Sequence, residues 1–307
     1  MDNSAEVREF LTTRRAKVSP ADAGLPVVGQ RRVAGLRRAE VASLAGISVE
    51  YYAKLERGSI AGVSASVLEG LARALQMDDA ERTHLFDLAQ AADGTAALAR
   101  PRRRSTGRWT PRPSLQWALD AITSSPAIVR NGRMDLLATN TLGWAMHSSL
   151  HEAAATSAVT GAAGAPPNFA RYTFLDSDAR RFYPDWDTAA ATAVAILRTE
   201  AGRAPHDKDL HDLVGELSTR SEVFRRLWGA HDVRLHGAGS KTFHHSAVGR
   251  LDLAYESMDM ISEPGLTLTI YAAEPASPTA EALRLLASWA ATALPERAAA
   301  PEGSSSR

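Results

Sequence analysis

Apolar residues recur at helical spacing as far as residue 92, and thereafter they also alternate in short strand-like runs. A first helix is predicted over residues 6–15, with Val7, Phe10 and Leu11 on one side. A second spans 38–45, with Val41, Leu44 and Ala45 at helical spacing, and Gly46 stops it. Ser48 then caps a third helix, because its hydroxyl can accept an otherwise free first-turn amide. Ser64 precedes a fourth apolar series, Val67, Leu68, Leu71, Ala72 and Leu75. Asp78 with Glu81 forms a capping-box start for a fifth helix bearing Leu85, Leu88 and Ala89. Five helices thus fill residues 1–92.

Residues 93–113 break this pattern with Gly, Pro and Arg clusters and read as a basic linker. Beyond it, Asn131-Gly132 stands between two apolar strands, a hairpin signal in which both turn positions take positive φ. Helices are predicted around 142–149, 189–201, 210–218 and 223–231, then strands at 232–236, 241–245, 250–257 and 266–273, and a closing amphipathic helix at 280–293. This order predicts an α+β domain with an antiparallel sheet over 114–294, after an all-α domain, with a flexible tail at 295–307.

Charge changes the picture. The chain is neutral overall, yet residues 1–113 hold 18 Lys and Arg against 13 Asp and Glu, while residues 114–307 hold 17 against 22. Only the front half is suited to a polyanion. Cysteine is absent, so disulfides and thiolate metal sites are excluded. The first residues do not read as a secretion signal and no long apolar run occurs, so a cytoplasmic protein without a membrane partner is expected.

Two short helices joined through Gly46-Ile47-Ser48 satisfy the helix-turn-helix pattern. Ala42 and Ala45 let the helices approach, and Ile47, Tyr52 and Leu55 fill the gap between them. In this geometry Ser48, Val49, Glu50 and Lys54 face bases or phosphates, and Tyr51 donates to a phosphate. The cations Arg31, Arg32, Arg37 and Arg38 flank the first of the two helices and would supply most of the attraction to double-stranded DNA. The alternative is a helical hairpin that binds no nucleic acid, and these arginines weigh against it.

The stretches GLRRAEVASLAGISVEYYAKLERG, SASVLEGLARAL and DDAERTHLFDLA resemble the phage-repressor-like class of five-helix bacterial regulators. That resemblance implies that Glu56 pairs with an arginine of the first helix, Arg14 or Arg15. Further on, FLDSDARRFYPDWDTAA, VGELSTRSEVFRRLWGAHDVRLH, FHHSAVGRLDLAYE and LTIYAAEPASPTAEALRLLASWA are similar in order and spacing to the ligand-binding domain of the MmyB-like transcription regulators. The resemblance implies a PAS-like sheet with packed helices, a fatty-acid-like or other amphipathic small ligand, and a homodimer.

An amphipathic ligand needs an apolar surface and a polar group for its head. The candidates are Trp144, Tyr183, Trp186, Phe224, Trp228 and Tyr255 for the body, and Arg220, His231 and Arg234 for the head. Each aromatic also suits a plain core, and each cation a surface ion pair. GAGSKT at 237–242 lacks a Gly directly before Lys and reads as a hairpin loop, not a phosphate loop. His147 and His151 share a helix face without a third ligand in view, and no catalytic frame is recognisable. The expectation is a DNA-binding regulator with no enzyme activity, cofactor or metal. Its alternatives are a regulator whose back half binds a protein, or an enzyme with a DNA-binding appendage.

Overall fold

The computed structural model describes residues 3–25, 33, 35–93, 109–155, 166–205, 207–230 and 237–298, with side chains to residue 291. The chain divides into two compact units, one made of residues 1–103 and 194–235, the other of residues 104–193 and 236–307.

In the first unit, α1 (Asn3–Lys17), α2 (Arg38–Ala45), α3 (Val49–Glu56), α4 (Ala65–Ala74) and α5 (Asp79–Ala92) match the five predicted helices. Their core gathers Val7, Phe10, Leu11, Leu36, Val41, Tyr52, Leu55, Leu71, Leu85 and Leu88. Leu44, expected among the inward residues of α2, faces outward at 38% exposure, and Val41 with Ala42 carries the contact instead. Asp78 and Glu81 exchange backbone and side-chain hydrogen bonds at the start of α5, as the capping box requires.

The same unit takes in sequence from far downstream: the second half of α11 (Trp186–Arg203), then α12 (Lys208–Arg220) and α13 (Glu222–Gly229). A buried polar knot joins them to the first five helices. Arg198, fully buried on α11, pairs with Glu6 of α1, donates to the carbonyl of Trp228 and lies 4.2 Å over that indole ring. His84 of α5 packs edge-on to Phe10 and lies 3.9 Å from the Glu6 carboxylate, and burial holds its pKa below the ordinary value. A Cβ on Gly202 would stand 2.6 Å from the His84 ring, so α11 approaches α5 closely here. Arg203 pairs with Asp87 at 3.2 Å nearby.

The second unit contains α6 (Pro113–Asp120), β1 (Ala127–Asn131), β2 (Leu136–Thr139), α7 (Thr141–Met146), α8 (Ser148–Ala155), α9 (Phe169–Leu175), α10 (Ala179–Phe182), the start of α11, β3 (Ala238–His245), β4 (Gly249–Asp259), β5 (Leu266–Ala272) and α14 (Pro278–Ala298). The strands form one antiparallel sheet in the order β2-β1-β5-β4-β3, so the predicted all-α then α+β layout holds. One face of the sheet centre packs Val129 and Leu268 against Leu119 and Leu115 of α6.

The β1–β2 hairpin forms where expected, but its turn differs. Met134, not Asn131 or Gly132, takes the left-handed conformation, and the Met134 amide donates to the Asn131 carbonyl at 3.0 Å. The Asn131 and Asp135 side chains hold this wider turn through two further bonds. Residues 238–242, expected as a hairpin loop, are instead the start of β3. The strand expected at 232–236 and most of the linker lie outside the described residues. Among those described, no helix is long and apolar enough to cross a membrane.

Candidate functional site

Each unit carries one candidate site. In the first, Gly46 adopts φ 70°, a conformation that costs glycine little and lets α2 end in a tight turn. The Ile47 amide bonds the Ala42 carbonyl at 3.0 Å, and the Ser48 hydroxyl accepts from the Tyr51 amide at 3.0 Å. Capping leaves the Ser48 hydroxyl hydrogen free to donate outward. Ser48, Val49, Glu50 and Lys54 are all exposed on α3, while Tyr51 is half-buried against the core. A row of exposed side chains at the front of the second helix is what major-groove reading requires.

Behind that row, Glu56 is almost wholly buried and is held from three sides. Arg15 Nε donates to it at 2.5 Å, Arg38 Nε donates to its other oxygen, and the Tyr52 hydroxyl stands 3.4 Å away. Arg15, rather than Arg14, is therefore the first-helix partner, and Arg14 pairs with Glu81. The second partner, Arg38, was not foreseen. Its guanidinium is held by Glu56 yet its side chain stays 56% exposed, and the carboxylate raises its pKa further. Burial, reinforced by the Glu56 charge, pushes the Tyr52 hydroxyl well above its usual range. Arg37 is exposed, and its amide donates to Glu40 at 2.6 Å at the start of α2. Arg31 and Arg32 lie outside the described residues.

The second site is the inner face of the sheet. Strand register puts Ile128 and Arg130 of β1, Thr269 and Tyr271 of β5, Leu251, Leu253, Tyr255 and Ser257 of β4, and Lys241, Phe243 and His245 of β3 on one side. Phe182 and Tyr183 pack on Phe243, and His147, just past the end of α7, faces Phe243 and Tyr271. Burial lowers the His147 pKa to about 4, so its ring is neutral, and its Nδ1 lies 2.9 Å from the Gly143 carbonyl. The hydroxyls of Tyr183, Tyr255 and Tyr271 are all driven up, chiefly by burial, and remain protonated donors.

Lys241 lies 4.9 Å from the Tyr255 ring. The Tyr255 ring can lie against β3 because residue 239 is glycine: a Cβ there would meet its hydroxyl oxygen at 3.0 Å. Burial first, and the charge of Arg130 second, depress the Lys241 pKa to about 7. Arg130 is itself buried, and its charge acts also on Tyr271.

The ligand candidates read from the sequence do not form one cluster. Tyr183 and Tyr255 belong to this face, linked through Phe243 and Tyr271. Trp144 stacks on Trp289 and lies beside His151. Trp186 donates to the Thr173 carbonyl at 3.0 Å beneath the Arg180 guanidinium. Arg220, Phe224 and Trp228 fall in the other unit: Arg220 pairs with Glu216, and Phe224 stacks on the Trp228 that Arg198 covers. His231 and Arg234 lie outside the described residues. Sequence reading passed over Arg130, Lys241 and Tyr271, because a lone cation in an alternating strand most often faces water.

A family model described as the MmyB-like transcription regulator ligand binding domain matches residues 111–286, more than half of the chain. A helix-turn-helix domain model matches residues 9–85. No curated protein matches the chain.

Proposed function

The chain belongs to the MmyB-like transcription regulators, and on that footing we propose that it is a one-component switch in which α3 reads an operator and the inner sheet face holds a small amphipathic, fatty-acid-like ligand. That it is a DNA-binding transcription regulator with a ligand-binding domain follows from the two family matches. The finer reading rests on one observation above all: Ser48, Val49, Glu50 and Lys54 stand exposed on a helix whose opposite side is pinned by the buried Glu56. Glu50 suits a cytosine amino group and Val49 a thymine methyl. Arg31, Arg32, Arg37 and Arg38 supply phosphate contacts, with Tyr51 as a further donor.

In this reading the regulator is a homodimer, and its two reading helices engage half-sites about 34 Å apart, one turn of DNA. Ligand shifts the balance between operator-competent and incompetent forms by binding one of them more tightly. Fluorescence anisotropy tests the DNA half: the full chain should prefer duplex from upstream of its own gene over random duplex, with affinity falling steeply as salt rises. Equal affinity for both duplexes at moderate salt would refute it. Native mass spectrometry tests the other half by reporting subunit count and any retained small molecule. A monomer that carries nothing would argue instead for a sensor domain that binds a protein.

A further inference from the structure

Helix α1 is held at both ends, and both holds bear on how α3 is presented. Near its C-terminus, Arg15 Nε donates to the buried Glu56 of α3, and Arg15 Nη1 donates to the Leu36 carbonyl just before α2 at 2.9 Å. Near its N-terminus, Glu6 pairs with the fully buried Arg198 of α11. Glu6 and Arg15 lie on one uninterrupted helix, about 14 Å apart along its axis. A helix that short moves as a rod, so fixing Glu6 limits where Arg15 can hold Glu56. The helices that fix Glu6 lie within the residues matched to the ligand-binding domain, yet they fold into the unit that carries α3. Their contacts are directional. The Arg198 guanidinium bonds Glu6 and the Trp228 carbonyl while lying over the indole, so α1, α11 and α13 meet in one register. Gly202 lets α11 come against His84 of α5, and Arg203 pairs with Asp87 further along α5. At the far end of α1, Lys17 Nζ reaches the Ala230 carbonyl, just past α13, at 3.5 Å. Apolar side chains would join the same helices at a lower desolvation cost, but they would let them slide; a buried charge pair that also holds a carbonyl does not.

We propose that Arg198 is a positioning residue for operator recognition: by holding Glu6 it fixes α1, and through Arg15 and Glu56 it fixes the angle at which α3 meets the bases. The proposal rests on the reading that α3 contacts bases, and it goes further by making the second half of α11, with α12 and α13, part of the DNA-binding head. Their docked state is the operator-competent one. Loosening it leaves Arg37 and Arg38 at the start of α2, so attraction to any duplex persists while discrimination between sequences falls.

The test measures, on the full chain by fluorescence anisotropy, the ratio of affinities for duplex from upstream of its own gene and for random duplex, well below the melting transition. Arg198→Met should cut that ratio at least fivefold while affinity for random duplex stays within twofold. A residue that only holds the fold together would, in a folded variant, move neither. Arg203→Gln, which breaks the part-buried pair with Asp87, should lower the ratio at least twofold. Wild-type helical circular dichroism at the working temperature certifies each variant; should Arg198→Met fail that check, Arg203→Gln decides. An unchanged or raised ratio in the deciding variant, or equal weakening toward both duplexes, overturns the assignment while base reading by α3 stands. A wild type that prefers neither duplex overturns the reading of α3 itself and the assignment with it.

Discussion

Replacing Arg198 by methionine removes one partner of a buried ion pair and leaves the other in place. In Arg198→Met the Glu6 carboxylate, 5% exposed, loses its guanidinium partner, and the His84 imidazole at 3.9 Å is held neutral by burial. Stranding a buried charge in this way costs about 3–5 kcal/mol, and the lost cation–π contact with Trp228 adds about 1 kcal/mol. For a unit of this size a loss of about 4–6 kcal/mol lowers the melting temperature by roughly 8–24 °C. Differential scanning calorimetry should show that drop in the transition of the helical unit, with the sheet unit as an internal reference. Glu6→Gln should also destabilise, because it takes the carboxylate charge away from the buried guanidinium. The double variant should cost clearly less than the two single losses added together, since it removes both charges. Additive losses, or single variants melting within a degree of wild type, would refute the idea that this pair anchors α11 to α1.

Three further outcomes are expected. Lys54→Ala should weaken operator binding almost equally for all sequences and reduce the salt slope by about one, whereas Glu50→Ala should relax preference at one base pair, costing about 1–3 kcal/mol of discrimination; anisotropy against a panel of single-base variants separates the two. Glu56→Ala should destabilise the helical unit by about 3 kcal/mol or more, seen as a lower denaturation midpoint, because it leaves the half-buried Arg15 uncompensated, while Glu50→Ala should melt like wild type. Lys241 is nearly neutral in the folded chain above pH 7 but charged when unfolded, so the folded state binds fewer protons and stability rises with pH, by at most about 1.4 kcal/mol per unit between pH 7 and 9. Arg130 stays charged over that range, and His147 and the tyrosines facing Lys241 stay neutral. The slope should therefore be lost in Lys241→Met and appear as the difference between wild type and variant in denaturant titrations.

Local chemistry made much of the DNA-reading element legible. Gly46 can end α2 in a left-handed turn, Ser48 caps α3, and Asp78 with Glu81 opens α5, each within four residues of the group it serves. The hairpin at Asn131 was visible for the same reason, although the left-handed residue fell to Met134 once the Asn131 and Asp135 side chains closed a wider turn. Alternation in β3, β4 and β5 located the strands and told which residues share a face. It did not tell which face is buried, so Arg130 and Lys241 passed as ordinary surface cations.

The amino-acid sequence by itself determined the order of elements, the helix-turn-helix with the exposed front of its second helix and the family, because these depend on spacing along the chain. Tertiary structure decided the rest: that Glu56 is shared by Arg15 and Arg38, that Arg198 meets Glu6 across 192 positions, and that strand order 2-1-5-4-3 puts Arg130 and Lys241 on one face of the sheet. Such partners are selected by how separated segments pack and by how much water they exclude, and neither quantity is written in any local stretch of residues.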